Sequence, residues 1–418
     1  MKKILALLLA MVMMLTVMAG CNKQPADNDN NNVNNSESEN QGEESQGEET
    51  PDYDAILTDA ATALGCLAQQ NPGASGEYKV AMITDYGDIT DQSFNQTTYE
   101  ACKEYCDANS VDFNYFKPAS DSDADRVAMI DKAIADGYNV IVMPGYAFAN
   151  AIKETVGNYP DVKFVALDVG AGDLGDDFEV PANLYCAVYQ EELCGYMAGY
   201  AAVKLGYKQL GFLGGMAVPA VVRYGYGFLQ GVDAAAAELN IADQVSVKYV
   251  YGNTFGPDPA VKAVMDTWFN GGTEVVFACG GGIYISAAEA AQAAGAKLIG
   301  VDVDQSGIID SSYGEGMTVT SAMKGLAPTV KTVLTAIAED KWADFGGKIE
   351  TLGLVSENPE ENYVQIPMTT QFGDGFSADD YKALVADMFN GVIKVDNSAD
   401  TENLPEVAVK VETFDNIL

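Results

Sequence analysis

The chain has 418 residues, long enough for more than one compact lobe, and its 61 acidic and 23 basic residues give a net charge of −38. A chain this acidic has no electrostatic footprint for nucleic acid, so no nucleic-acid partner is predicted. It also has no histidine, which excludes His-based catalytic triads and His metal sites. No catalytic residue, metal or cofactor is predicted.

The first 20 residues have the outline of a secretory signal peptide, with two lysines, an apolar run and a small-residue end. The sequence Met18-Ala19-Gly20-Cys21 resembles a bacterial lipobox, so lipidation of Cys21 is expected. A transmembrane anchor is the alternative, but the apolar run is shorter than the roughly 20 residues that a span needs. The predicted location is therefore the extracytoplasmic face of the cell membrane, with a lipid anchor.

Residues 21–52 are predicted to be a disordered acidic tether. They consist almost entirely of Asn, Asp, Glu, Gln, Ser and Gly after Cys21, a composition that cannot bury enough apolar surface to offset chain entropy. Residues 53–77 contain a possible helix at 55–69 and are interpreted as a helical appendage. The other six cysteines form no CxxC pair, and we expect them to be buried apolar fillers.

From residue 78 the chain alternates short apolar runs with longer amphipathic segments. Strands are predicted at 79–84, 112–116, 140–143, 163–168, 184–187, 209–214, 245–251, 275–278, 297–301 and 316–321. Helices are predicted at 95–109, 124–137, 148–158, 191–205, 221–239, 259–270, 287–294, 326–341 and 378–388. This alternation predicts an α/β protein with parallel sheets covered on both faces, and the number of strands favours two lobes.

Several predicted strands end in polar residues, where ligands bind in α/β proteins. Asp85 ends the first strand and is followed by Phe94 and Asn95, while later strand ends carry Asp168, Asp302, Asp304 and Lys324. A single aspartate in such a place is more often a helix cap or a loop residue. Its repetition across both predicted lobes favours a polar binding site instead.

Three familiar motifs are absent or degenerate. The stretch around Gly225 has the wrong spacing for a dinucleotide fingerprint, and there is no phosphate-cradling GxxxxGK[ST] sequence. The Asp121–Asp125 region lacks the glycine and the closing glutamate of a calcium loop. It is better interpreted as the start of a helix.

An ordered series of motifs resembles the basic membrane protein family, the substrate-binding lipoproteins of ABC importers that include the purine nucleoside receptor type. The series runs TDYGDITDQSFNQ, NYPDVKFVALD, YQEELCGYMAGYAA, LGFLGG, GFLQGV, LIGVDVDQ and TVTSAMKG. The resemblance implies a type I periplasmic-binding-protein fold, with two doubly wound parallel-sheet lobes joined by three crossovers. The expected lobes are residues 78–186 plus about 322–350, and residues 187–321 plus about 351–418.

The resemblance also implies a ligand site. By analogy with nucleoside-binding members, Phe94 and Phe277 would sandwich a base while Asp85, Asp168 and Asn95 bond the base or the ribose. The matching positions for the ribose hydroxyls are Asp302, Lys324 and the backbone near Gly281. Family members usually have a run of small residues after the strand predicted here at 275–278. This chain departs from that pattern, because Ile283 and Tyr284 follow the three glycines at 280–282.

The expected function is capture of a nucleoside, with a purine favoured, by a monomer that serves an ABC permease and ATPase. A sugar or another small ligand in the same cleft is an alternative, since sugar sites also use aromatic rings and carboxylates. A surface sensor that presents its ligand to a membrane receptor is another. A nucleoside hydrolase receives little support without a histidine or a metal cluster.

Overall fold

The computed structural model describes residues 78–175 and 177–418. The predicted signal peptide, the lipidation site Cys21, the acidic tether and the helix at 55–69 lie outside the described residues and stay predictions.

Short, buried apolar runs form most of the strands. The described ranges contain β1 (Val80–Ile83), β2 (Phe113–Phe116), β3 (Val140–Pro144), β4 (Lys163–Leu167), β5 (Leu184–Tyr189), β6 (Gln209–Gly214), β7 (Ser246–Tyr251), β8 (Val275–Cys279), β9 (Lys297–Asp302), β10 (Thr318–Lys324), β11 (Lys348–Leu352), β12 (Val364–Gln365) and β13 (Lys410–Thr413). The ten predicted strands are confirmed as β1–β10. The last three escaped prediction because β12 has two residues, while β11 and β13 are largely exposed and carry charged residues.

The helices follow the strands, as the pattern predicts. They are α1 (Phe94–Asn109), α2 (Asp123–Ala135), α3 (Ala149–Thr155), α4 (Ala171–Leu174), α5 (Glu191–Lys204), α6 (Pro219–Glu238), α7 (Pro259–Asn270), α8 (Tyr284–Ala294), α9 (Ser306–Tyr313), α10 (Leu326–Ala338) and α11 (Ala378–Phe389). Only the short helices α4 and α9, among those of the described ranges, were not predicted. None of the helices in these ranges is long and apolar enough to cross a membrane.

Two sheets carry the fold, in the orders β11-β5-β4-β3-β1-β2 and β12-β10-β9-β8-β6-β7-β13. Every pairing is parallel except that of β12 with β10. The chain crosses between the sheets after β5, after β10 and after β11, which confirms the predicted three crossovers. In each sheet the strand order reverses around one strand, β1 or β6, and such switch points are where doubly wound sheets bind ligands.

The sheets show how the chain is divided. All of β5 belongs to the first sheet and all of β10 to the second, so the expected lobe boundaries at 186 and about 322 fall inside strands. We use "first lobe" and "second lobe" below for the elements around these two sheets.

Helices α5 and α6 touch backbone to backbone, through glycines on both. A Cβ atom on Gly195 would lie 2.3 Å from the carbonyl oxygen of Tyr224, and one on Gly227 would lie 1.9 Å from that of Glu192. Only glycine permits so close an approach. This contact brings the start of α5 beside the start of α6, where the site described below lies.

The described cysteines behave as expected. Cys102, Cys106, Cys186, Cys194 and Cys279 are free and buried.

Candidate functional site

A cavity of about 980 Å³ lies where the carboxyl ends of strands from both sheets meet. Loops after β1, β3 and β4 form its first-lobe wall, and residues at or after the ends of β6–β10 form most of the second-lobe wall. Seven of the residues predicted to bind a ligand line it: Asp85, Phe94, Asn95, Asp168, Gly281, Asp302 and Lys324.

The loop after β1 is organised around the buried carboxylate of Asp85. Its Oδ1 accepts hydrogen bonds from the backbone N–H groups of Tyr86 and Gly87, both at 2.6 Å, and from Asn95 Nδ2 at 3.1 Å. Burial raises the pKa of Asp85, and these bonds oppose the rise. The loop therefore holds a carboxylate and a carboxamide side by side at the cavity wall.

The second feature of this wall is Asp91, which starts helix α1. Its carboxylate accepts hydrogen bonds from the backbone N–H groups of Ser93, Asn95 and Gln96 at 2.9–3.0 Å. Unsatisfied N–H groups at a helix start favour such a negative partner. The bonds fix Phe94 and Asn95, the first residues of the helix, in the cavity wall.

A buried group of charges lies deeper in the cavity, around the ammonium of Lys324. Lys324 Nζ is 2.5 Å from Asp168 Oδ2, 3.4 Å from Glu191 Oε1 and 3.7 Å from Asp302 Oδ1. Glu191 Oε2 also accepts a 2.7 Å hydrogen bond from Nε of Arg223. Asp168 belongs to the first sheet and Lys324 to the second, so this charge cluster joins the lobes.

The pKa values of the cluster follow from burial and crowding. Burial disfavours the ammonium of Lys324, but the carboxylates of Asp168, Asp302 and Glu191 outweigh it and hold the Lys324 pKa above its usual value. Burial raises the pKa of Asp168 to about 6, with Lys324 opposing and Glu191 adding to the rise. Burial therefore outweighs the neighbouring ammonium at Asp168.

Two of the strand-end aspartates have unusual backbones. Asp168 has φ of 56° and Asp302 has φ of 65°, in the left-handed region that costs a non-glycine residue free energy. Both carboxylates face the cavity and the same lysine. Strain at two matching positions of the two lobes points to a functional demand.

Two buried acceptor atoms at the cavity wall have no hydrogen-bond partner: Oδ1 of Asn95 and Oδ1 of Asp168. An unsatisfied buried polar atom is costly and requires an explanation. A ligand that donates hydrogen bonds at two separated points would satisfy both.

The structure corrects the position of Phe277. Its side chain is fully buried, with the rings of Phe212, Tyr224 and Phe228 at centroid distances of 5.5–5.9 Å. Phe277 is on the same face of β8 as Cys279, which does line the cavity. It lies two residues below the strand end, however, and therefore packs under the site.

The second lobe supplies two aromatic rings to the cavity wall, Tyr224 of α6 and Phe255 in the loop after β7. Phe255 is the phenylalanine of the two. Its ring centroid is 6.3 Å from that of Tyr86 in the first lobe. Gly280 and Gly281 have φ of 145° and 50°, and a Cβ on Gly280 would lie 2.8 Å from the Phe255 ring. The three glycines after β8 thus seat Phe255, and Gly282 N–H donates a 2.7 Å hydrogen bond to its carbonyl oxygen.

The ring of Phe94, in the first lobe, lies next to the charge cluster. Lys324 Nζ is 4.9 Å from its ring centroid, within range of a cation–π attraction. Phe94 therefore connects the polar loop of the first lobe with the buried charges.

Sequence reasoning missed four cavity residues or neighbours: Tyr86, Glu191, Arg223 and Phe255. Tyr86 could have been predicted as a site residue, because it lies in the same loop as Asp85. Glu191 and Arg223 gave no strand-end signal because they lie near the starts of helices α5 and α6, whose close approach depends on the glycine contacts. The chain has only two arginines, Arg126 and Arg223. Arg223 lines the cavity, and Arg126 lies 5.7 Å from the ring centroid of Tyr86, which lines it.

Within residues 78–175 and 177–418, no group of three or more Cys, Asp or Glu side chains is arranged to hold a metal ion.

The family described as ABC transporter substrate-binding protein PnrA-like (Bmp) matches residues 78–387. The chain belongs to this family. The match covers strands β1–β12 and nearly all of the residues that line the cavity. It confirms the basic membrane protein family predicted from the motifs.

Similar proteins agree with this assignment. The chain is 25% identical over 319 residues to a Lactococcus lactis protein named ABC transporter nucleoside-binding protein BmpA, covering 71% of this chain and 86% of that one. It is 28% identical over 296 residues to the CD4+ T-cell-stimulating antigen of Listeria monocytogenes, covering 66% and 78% of the two chains.

Among solved structures, an ABC transporter solute-binding protein of Aeropyrum pernix matches with a TM-score of 0.59 at 21% identity, covering 76% of this chain and 87% of that one. This likeness confirms the type I periplasmic-binding fold. The family's members are substrate-binding proteins of ABC transporters, which work on the extracytoplasmic side of the membrane.

Proposed function

We propose that the protein captures a purine nucleoside in the cleft between its lobes and delivers it to an ABC importer. The observation that carries this proposal is a single cavity lined by a phenylalanine from each lobe, Phe94 and Phe255, with the unpaired acceptors of Asn95 and Asp168 in its wall. The Lactococcus relative named as nucleoside-binding adds support.

The base end of the ligand would lie at the first-lobe loop. Phe94 and Phe255 offer faces on which a flat, neutral ring stacks. Asp85 and Asn95 supply acceptors, because Asn95 Nδ2 already donates to Asp85 Oδ1 and Asp91 Oδ2 while its Oδ1 has no partner. Together these groups suit the donor groups on the edge of a purine.

The ribose end would lie at the charge cluster. Asp168 and Asp302 are strong acceptors for hydroxyl donors, and Lys324 donates to hydroxyl oxygens. The three carboxylates of the cluster outnumber the two cations, Lys324 and Arg223, by one. This excess of negative charge disfavours a phosphate and favours an uncharged nucleoside.

The further features of the proposal come from the sequence. The protein would be a monomeric lipoprotein, anchored through Cys21 and lifted from the membrane by residues 22–52, with a permease and an ATPase as partners. Its two lobes would close on the ligand like a hinge. It would bind without chemical conversion, since the site supplies stacking and hydrogen bonds and no nucleophile with a base beside it.

Isothermal titration calorimetry with adenosine, guanosine, inosine and ribose tests the ligand class. We expect at least one purine nucleoside to bind and ribose to compete weakly or not at all, because ribose cannot stack on Phe94 and Phe255. No heat with any nucleoside would refute the proposal. Tight binding of ribose alone would indicate that the protein is a sugar receptor.

A further inference from the structure

Ser93 occupies the N-cap position of helix α1 but does not cap it. A serine at this position normally accepts a hydrogen bond from a backbone N–H of the first turn. Here the Ser93 side chain makes no capping bond. Asp91 performs that task instead, through its bonds to the backbone N–H groups of Ser93, Asn95 and Gln96.

The released hydroxyl of Ser93 reaches the other lobe. Ser93 Oγ donates a hydrogen bond to Oδ2 of Asp302, at 2.5 Å, and both residues are buried. Ser93 follows β1 of the first sheet and Asp302 ends β9 of the second. A buried hydroxyl-to-carboxylate bond is among the stronger hydrogen bonds in proteins.

A second bond joins the lobes beside the first. Gln305, which is fully buried, donates from Nε2 to the backbone oxygen of Gln92 at 3.1 Å. Its position is fixed in its own lobe, because Oε1 accepts from the Val301 N–H at 2.9 Å and its backbone N–H donates to Ser321 Oγ at 3.2 Å. Gln92 has a left-handed φ of 55°, so the first lobe accepts backbone strain at the point of contact.

We propose that Ser93 and Gln305 form an interlobe latch that positions Asp302 and couples lobe closure to ligand binding. Neither residue is part of the cavity wall, whereas Asp302, Phe94 and Asn95 are. Both are therefore positioning residues that act through their neighbours. This inference rests on the proposed function, since it assigns a role in retaining the ligand of the same cleft.

The latch has two physical consequences. The hydrogen bond of Ser93 occupies Oδ2 of Asp302. The other oxygen, Oδ1, has only long contacts, 3.5 Å to the Tyr224 hydroxyl and 3.7 Å to Lys324 Nζ. The two bonds also exist only while the lobes have this arrangement. Their loss shifts the population toward open lobes, which accelerates ligand release and leaves association nearly unchanged.

The test compares Ser93→Ala with Ser377→Ala by stopped-flow kinetics with inosine. Ser377 is a partly exposed serine that does cap its helix, α11, by accepting from the Asp380 N–H at 3.1 Å. Ser93→Ala is expected to raise the dissociation rate about 10-fold or more, as loss of a hydrogen bond to a charged group implies, with the association rate within about two-fold. Ser377→Ala is expected to lower the melting temperature and leave both rates unchanged.

Small-angle X-ray scattering of the ligand-free variants gives a readout that needs no nucleoside. Ser93→Ala is expected to increase the radius of gyration and Ser377→Ala is not. Should the wild type bind none of inosine, adenosine and guanosine, the proposed function fails and scattering alone decides the latch. An unchanged dissociation rate together with an unchanged radius of gyration in Ser93→Ala would overturn the latch. If Ser93→Ala does not fold, Gln305→Met is measured in the same way.

Discussion

The two parts of the cavity wall are built in different ways. The first-lobe loop is held by hydrogen bonds between near neighbours in the chain, since Asp85 bonds Asn95 ten residues away and Asp91 bonds Ser93, Asn95 and Gln96. The charge cluster joins Lys324 to residues 156 and 133 positions earlier, Asp168 and Glu191. The loop is a local structure, and the cluster exists only once both lobes have folded.

This difference predicts different responses to mutation. Changes in the loop should alter contacts with the ligand and leave the fold largely intact. Changes in the cluster should reduce the stability of the protein as well as its affinity, because each buried charge there depends on partners from distant parts of the chain.

The largest effect is expected from Lys324→Met, which leaves three carboxylates without their shared cation. Breaking a buried ion pair in this way costs about 3–5 kcal/mol of unfolding free energy, and urea denaturation measures it. The matched control is Lys331→Met, since Lys331 pairs with Glu104 in solvent and such pairs contribute about 0–1 kcal/mol. Equal losses in the two variants would contradict the role of the cluster.

Phe255→Ala should weaken nucleoside affinity by about 1–3 kcal/mol, the value of an aromatic ring that stacks on a base. Phe277→Leu is its control, because Phe277 packs below the cavity. It should lower stability by about 1 kcal/mol and leave affinity unchanged. Calorimetry and thermal unfolding of both variants decide which phenylalanine faces the ligand, and an affinity loss confined to Phe277→Leu would reverse the assignment.

The pH dependence of binding should report on Asp168, whose pKa burial raises to about 6. A ligand hydroxyl donates to the ionised carboxylate and so lowers this pKa in the complex. The free protein then holds more protons than the complex below about pH 6, and binding releases a proton. Affinity should therefore fall about tenfold between pH 6.5 and 5 and stay level above pH 7.

Asp168→Asn separates this effect from that of Asp85, whose pKa is also raised by burial. The difference in binding free energy between wild type and variant should carry the pH dependence assigned to Asp168. Parallel pH profiles for the two proteins, measured by titration calorimetry, would exclude Asp168 as the titrating group.

The smallest effect is expected from Asp91→Ala, which removes the cap of α1. Loss of a cap costs about 0.5–2 kcal/mol of unfolding free energy. Affinity should change less than stability, because Phe94 is also held by its contact with Lys324. A loss of affinity as large as that of Phe255→Ala would mean that Asp91 itself binds the ligand.

The same contrast explains how much of the site could be predicted from sequence. Asp85, Phe94 and Asn95 lie in one short segment after an apolar strand, and the strand-end rule places Asp168, Asp302 and Lys324 without knowledge of any contact. Phe277 was assigned to the site by analogy with nucleoside-binding members. It lies two residues below the end of β8, so its ring packs under the cavity. Phe255 lies in an irregular loop, where no periodicity marks it.

The charges behind the cavity were less accessible to sequence reasoning. Glu191 and Arg223 meet because two helices approach through glycines, and that approach depends on the packing of the whole molecule. Ser93 is the clearest example of a contact that the sequence does not reveal. Its position at a helix start indicates a cap, whereas its hydroxyl bonds to a carboxylate 209 residues away.

The central claim, that a nucleoside lies between Phe94 and Phe255, is tested most directly by native mass spectrometry of the purified protein. The protein is stripped of small molecules and mixed with equal amounts of adenosine, guanosine, inosine and ribose. We expect a one-to-one complex with the mass of a purine nucleoside, and weaker complexes in both Phe94→Ala and Phe255→Ala. A complex with ribose alone, or nucleoside binding that neither substitution weakens, would contradict it.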